Sequence, residues 1–221
     1  MPDPPYALAG RGLEIGPGAR PFVQGAVRLE KALSYFDHRV EADVLGDATQ
    51  LPFRIGVFDY VVARHVLEHV ADPIRMLREI SRALRPGGRA VITVPNRDKT
   101  FDIERPTTPF LHLLLDFISQ RLDSDPSHAR EWTEKVLLNP EVRPYRSHQS
   151  EEEDHREHDK LQADLQSGAR LDMHFHVFSA LSFQKLLIEL NRIRLLKMRI
   201  KCFDDPDPLE PFAVTAVLER E

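Results

Sequence analysis

Short apolar runs punctuated by glycine, proline and acidic turns set the rhythm of this chain. Gly12 to Ile15 is the first such run. It passes into Gly16-Pro17-Gly18, where two glycines let the backbone turn sharply and approach a ligand closely. Ala26 to Leu29, ending at Glu30, reads as the second strand, and residues 40–46 as the third. Phe58 to Ala63 is a continuous apolar run of the buried parallel type, the fourth strand. The period then changes. Asp72-Pro73 has the form of a helix start, and Ile74, Leu77, Ile80 and Leu84 recur at helical spacing up to the stop at Arg85-Pro86-Gly87-Gly88. Ala90 to Val94 is the fifth strand. Ser179 caps a later helix with Phe183, Leu186, Leu187 and Leu190 on its buried face, and Leu195 to Phe203 and Phe212 to Leu218 are strands six and seven.

Strands alternating with helices predict an α/β protein with a doubly wound, largely parallel sheet. Ligands in such sheets bind beyond the carboxyl ends of the strands. Glu14, Gly16, Glu30, Asp47 and His65 all fall at such ends, which points to a nucleoside-like cofactor. Glu14 is placed to hold a hydroxyl or ammonium group. Glu30, at the end of strand two, suits ribose hydroxyls, and Asp47 an exocyclic amine. Arg20-Pro21 stands where a dinucleotide-binding turn needs its third small residue, so a NAD-type site is not indicated. Gly18 and Glu30 are so close in sequence that the helix between them must be short or missing.

Five stretches together resemble a class I S-adenosylmethionine-dependent methyltransferase. They are Leu13-Glu14-Ile15-Gly16-Pro17-Gly18, Gly46-Asp47-Ala48 with Leu51-Pro52-Phe53, Phe58-Asp59, His65-Val66-Leu67-Glu68-His69-Val70, and Leu84-Arg85-Pro86-Gly87-Gly88-Arg89. The resemblance implies a Rossmann-like seven-stranded sheet with its last strand antiparallel, helices on both faces, and S-adenosylmethionine as cofactor. It implies that Gly16 and Gly18 pass the methionine part, Glu30 takes the ribose, Asp47 and Ala48 the adenine, and Arg64 with His65 the wall beside the sulfonium. Residues 1–97 then form the cofactor half, 98–178 an insertion that builds the acceptor pocket and lid, and 179–221 complete the sheet. The ending resembles bacterial methyltransferases of polysaccharide assembly, including sugar O-methyltransferases of the mycobacterial methylmannose type.

The insertion carries the remaining chemistry. Thr108-Pro109 and Asp125-Pro126 each start a helix, the first presenting Phe110, Leu113, Leu114, Phe117 and Ile118, the second Ala129, Trp132 and Val136. Residues 143–168 read as a long charged loop. In Asp172-Met173-His174-Phe175-His176-Val177, an extended backbone would point Asp172, His174 and His176 the same way. A sugar hydroxyl is a poor nucleophile at neutral pH, so a general base is needed, and histidine suits the task. His174 and His176 are the first candidates, followed by His69 and His65. Five of the ten histidines fall between 148 and 176. Asp154, His155, His158 and Asp159, with Asp172, His174 and His176, are candidate ligands for a divalent cation, with magnesium, zinc and manganese as options. His65-x-x-Glu68-His69 also has the letters of an inverted zinc-protease motif.

Composition narrows the alternatives. The chain has 221 residues, 42% hydrophobic, with a net charge of −5, which favours neither nucleic acid nor an anionic membrane as partner. The lone Cys202 excludes an internal disulfide and suits a reducing compartment. The Pro-rich start lacks a signal-peptide pattern, so a soluble, cytoplasmic protein is expected. Residues 1 to 10 read as a strap over the first strand, with Tyr6 as a surface aromatic. The functional expectation is a sugar or oligosaccharide O-methyltransferase. The alternatives are methylation of another small metabolite at oxygen or nitrogen, and a catalytically silent methyltransferase-like scaffold. The Phe110–Phe117 stripe also fits a homodimer interface.

Overall fold

The computed structural model describes residues 6, 8–32, 34–35, 38–146 and 150–221. His148 lies outside them, as does most of the N-terminal strap. The strands of the main sheet are β1 (Gly12–Ile15), β2 (Val27–Glu30), β3 (Val44–Leu45), β4 (Phe58–Arg64), β5 (Leu84–Pro95), β6 (Met198–Asp204) and β7 (Ala213–Arg220). Their order is β3-β2-β1-β4-β5-β7-β6. β7 runs antiparallel to both β5 and β6, and the β1, β2, β3, β4 and β5 pairings are parallel. This is the mixed seven-stranded sheet expected, with each strand boundary within a few residues of its prediction except at β3 and β5. Only two residues of the expected third strand pair, and β5 begins earlier because Leu84 already pairs with Phe58.

Alternation along the central strands divides the core. Leu13, Ile15, Val61, Ala63, Ala90 and Ile92 face α1 (Pro73–Ala83) and the fifth helix, Ala180–Arg192, and Tyr60, Val62 and Val91 face the other way. The N-cap of α1 is as predicted: Asp72 Oδ1 accepts from Arg75 N at 2.9 Å, with Pro73 at the first position. Helices on both faces were expected. Both α1 and the fifth helix instead pack on one face, and coil around Tyr6, Phe22, Val23 and Ala26 covers the other. The link from β1 to β2 is too short to build a helix layer there. Tyr6 is accordingly buried, and its hydroxyl donates to Asp207 Oδ2 at 2.9 Å.

The insertion folds as α2 (Phe110–Ser119), α3 (Ala129–Trp132) running into a π turn, and α4 (Glu151–Ser167). A third core of Trp132, Val136, Leu137, Leu161, Leu171, Met173 and Phe175 sits beneath them. The expected loop over 143–168 is therefore mostly a helix of 17 residues. Charge alone suggested a solvated segment. A capping box between Ser150 and Glu153, four acidic residues in the first turn and a Gly168 C-cap at φ 68° instead favour helix. Thr108 does not cap α2: its Oγ1 accepts from Val177 N at 2.9 Å, pinning the end of the insertion. Ser179 caps α5 (Ala180–Arg192) as expected. Among the described residues no helix is long and apolar enough to cross a membrane.

Candidate active site

Two concavities meet at one side chain. The first is a narrow cleft at the carboxyl ends of β1, β2 and β4, lined by Gly16, Glu30, Asp47, Ala48, Val66 and His69 among others. The second is a pocket of about 280 Å³ under the insertion, where Phe101, Trp132, Leu137 and Met173 form an apolar wall and Lys160, Asp164, Asp172 and His174 add polar groups. His69 lines both.

At the cleft, Gly16 has φ +63°, and a Cβ there would meet Val66 Cγ2 at 2.6 Å. Gly18 has φ +59° and opens onto free space. Both positions therefore require glycine conformationally, and Gly18 leaves room for a ligand above it. Glu30 is buried, and its Oε1 accepts from Gly18 N at 2.6 Å. Glu14 is buried as well and accepts from the amides of Phe22 and Val23 at 2.7 and 3.1 Å. Burial raises the Glu14 pKa, and those two amides act against the rise. Its carboxylate thus secures the loop after the turn. Asp47 Oδ1 accepts from Thr49 N at 2.8 Å, and Asp47 Oδ2 lies 2.5 Å from Lys31 Nζ. Lys31 also reaches Asp123 of the insertion at 2.6 Å, so its ammonium spans the cleft mouth.

Arg64 and His65 stand differently from expectation. Neither lines the cleft; Val66, His69 and Val70 supply that wall. Arg64 pairs with Glu210 at 2.9 Å and donates to Thr93 Oγ1 at 3.0 Å. His65, in the left-handed region at φ 52°, places Nε2 2.5 Å from Glu210 Oε2 and Nδ1 3.5 Å from Glu68 Oε1. Burial acts to lower its pKa, but Glu210 and Glu68 outweigh burial and lift it to about 9. His65 is thus an imidazolium at neutral pH and unsuited to be a base. The zinc-protease reading of this stretch fails as well: His65 is committed to two carboxylates, on a turn rather than a helix.

In the pocket, His174 Nδ1 lies 2.6 Å from Asp102 Oδ2. Asp102 also accepts from Arg105 Nη1 at 2.8 Å. Burial alone would raise the Asp102 pKa; His174 and Arg105 outweigh it and keep the carboxylate charged. The His69 ring stands perpendicular to His174, with centroids 4.7 Å apart, and its Nδ1 is 3.7 Å from Asp172. Burial, aided by His174, pushes His69 down to about 4. Two backbone bonds, Phe175 N and His176 N to Glu68 O at 2.8 and 3.3 Å, dock this segment on the turn after β4.

Asp172 and His174 therefore converge on His69, but His176 does not. Its Nε2 points to Ala71 O at 3.2 Å, in a separate cluster with His112 and His128. The segment is not regular strand, so strict alternation does not hold. The candidate cation set around Asp154 is also corrected. Asp154 is buried against Arg143 and Arg146, at 2.8 and 2.6 Å. His155 Nδ1 bonds Glu151 O, and His158 lies beside Asp159 and Gln162 on α4. Asp102, the partner of His174, was missed by sequence reading because nothing local links positions 72 residues apart.

Residues 12–92 match the family described as a methyltransferase domain. The match covers β1 through most of β5, including the cleft residues apart from Asp123 and Arg170. Within curated proteins, the demethylmenaquinone methyltransferase of Mycolicibacterium vanbaalenii is 53% identical over 49 residues, 22% of this chain and 22% of that protein. The norajmaline N-methyltransferase of Rauvolfia serpentina is 32% identical over 87 residues, 39% of this chain and 28% of that protein. Each alignment thus takes in under a third of the relative. Among solved structures, the PH0226 protein of Pyrococcus horikoshii superposes with a TM-score of 0.51 at 13% identity, over 98% of this chain and 84% of that one, which bears on the fold.

Proposed function

We propose that this protein is an S-adenosylmethionine-dependent methyltransferase that methylates a hydroxyl of a sugar or oligosaccharide held in the pocket beneath the insertion. The observation that carries the reading is His69, the shared wall of cofactor cleft and pocket: a methyl donor on one side and an acceptor on the other would meet there. The methyltransferase-domain match over the cleft supports the donor.

The residues fit the cofactor. Gly18 leaves side-chain-free space, Gly16 brings bare backbone to the cleft beside Val66, Glu30 and Asp47 offer carboxylates for ribose and adenine donors, and Ala48 adds an apolar contact. When bound, S-adenosylmethionine supplies an electrophilic methyl group. The chain's own residues do the rest. Asp102 holds the Nδ1–H of His174, which leaves Nε2 as the proton acceptor for the nucleophilic hydroxyl. Phe101 and Trp132 give the pocket aromatic surface suited to a sugar ring, and Lys160, Asp164 and Asp172 are placed along it to serve hydroxyls. The buried wall around Leu137 and Met173 limits water, which would compete as acceptor.

Calorimetric titration of S-adenosylhomocysteine into the purified chain tests the donor half; micromolar binding is expected, and none would return the chain to the scaffold reading. A turnover screen of mannosides, other glycosides, phenols and amines tests the acceptor half. Methylation of amines with every glycoside inert would remove the sugar reading.

A further inference from the structure

A second histidine cluster lies apart from both cleft and pocket. His112 and Asp116 sit one turn apart on α2, His128 ends the short turn before α3, and His176 belongs to the segment that closes the insertion. One ligating atom from each lies within 4.8 Å of the others. His112 Nε2 is 3.3 Å from His128 Nε2 and 3.1 Å from Asp116 Oδ2, which is 3.8 Å from His176 Nε2. A tetrahedral metal with bonds of about 2.0–2.2 Å separates its ligand atoms by about 3.3–3.6 Å. The measured spacings bracket that edge.

The polar groups in the cluster are poorly served by protein alone. Asp116, His128 and His176 are buried, yet Asp116 Oδ2 and His176 Nδ1 have no hydrogen-bond partner among the described residues. An unpaired buried carboxylate oxygen is costly, so a cation that binds Asp116 Oδ2 is favoured. The other Asp116 oxygen, Oδ1, accepts from Arg121 Nε at 3.1 Å, which orients the carboxylate with Oδ2 toward the imidazoles. Such outer contacts are typical supports of a metal ligand.

We propose that His112, Asp116, His128 and His176 bind one divalent transition metal of the zinc class, in a closed four-coordinate site. Three imidazoles and one carboxylate suit zinc, whereas magnesium and calcium prefer all-oxygen shells. Four protein ligands leave no open position, so the metal is structural. It ties α2, the turn before α3 and the closing segment into one unit. His176 is two residues from His174, so the metal also steadies the segment that carries the His174–Asp102 pair. The site stands independently of the methyl-transfer reading, and metal content reads it without any assay of turnover.

The test uses the full chain, freed of affinity tag, stripped with chelator and titrated with cobalt(II). One equivalent is expected to give the intense visible absorption of a four-coordinate ion, displaced by one equivalent of zinc and untouched by excess magnesium. Asp116→Asn and His128→Gln are expected to abolish the band and to weaken zinc binding by more than the roughly 10–100-fold typical of outer contacts. His155→Gln with His158→Gln is expected to leave it intact. X-ray absorption at the zinc edge of the parent protein needs no variant and is expected to show a four-atom nitrogen/oxygen shell rich in imidazole scattering. A six-coordinate cobalt spectrum, a band kept in both ligand variants, or a band lost only in the α4 variant overturns the site.

Discussion

His174 Nδ1 and Asp102 Oδ2 stand 2.6 Å apart and join the two ends of the insertion. Residues 98–178 leave the sheet after β5 and return before α5, and this pair closes the circuit beside the pocket. A carboxylate that fixes the Nδ1–H tautomer leaves Nε2 free to accept a proton. His174→Ala and Asp102→Asn are each expected to lower kcat by about 10²–10⁴-fold, the usual contribution of a positioned base. Affinity for S-adenosylhomocysteine stays within about twofold. Rapid-quench turnover paired with calorimetry separates the effects. Equal loss of both binding and turnover would make the pair a structural tie.

Gly18 separates strain from occlusion. Alanine there meets no neighbour, but its φ of +59° costs about 1 kcal/mol. Gly18→Ala is therefore expected to melt only slightly earlier than the parent. On the proposed function its affinity for S-adenosylhomocysteine falls at least about tenfold, since the added methyl projects into the open space above the turn. Denaturant melts and calorimetry on the same preparation check this, and unchanged affinity would move the cofactor away from this turn.

Lys31 holds Asp47 at 2.5 Å and Asp123 at 2.6 Å, linking the cleft to the insertion. A ligand engaging Asp47 Oδ2 competes with that ammonium. Lys31→Met is expected to speed S-adenosylhomocysteine association severalfold and to increase hydrogen exchange around residues 121–125 and 169–171. Stopped-flow fluorescence and exchange mass spectrometry provide the readouts. Slower association would assign Lys31 to the bound state instead.

Two histidines with opposite shifts shape the pH profile of stability. His65 is raised to about 9 against an ordinary value near 6.5. Its contribution is complete below pH 6.5 and is lost as pH rises toward 9. His69 is lowered to about 4, so the folded state keeps it neutral while the unfolded chain takes up a proton. Its contribution is complete above pH 6.5 and lost as pH falls toward 4. Stability is expected to peak near neutrality, with His65→Gln flattening the alkaline limb and His69→Gln the acid limb. Urea titrations at half-unit pH steps measure both limbs, and an unaltered alkaline limb in His65→Gln would sink the first assignment.

What the sequence determined alone was local. The alternation of strand runs, the Asp72-Pro73 and Ser179 caps and the Gly16/Gly18 turn are properties of neighbouring residues, and all reappear in the structure. Glu30, Asp47 and Ala48 reached the cleft because a parallel sheet brings strand ends to one side. Tertiary structure alone decided the rest. Arg64 and His65 turned toward Glu210, whose position depends on the long link between β6 and β7. The helix over 151–167 is the exception, being locally encoded: the Ser150–Glu153 capping box and the acidic first turn outweigh the repulsion suggested by its charge. His174 and His176, adjacent in pattern, parted to two sites because the closing segment is irregular and docks on Glu68 through backbone bonds. Asp102, His112 and His128 became partners of those histidines only when the insertion folded back, since contacts across tens of residues leave no local signal in the chain.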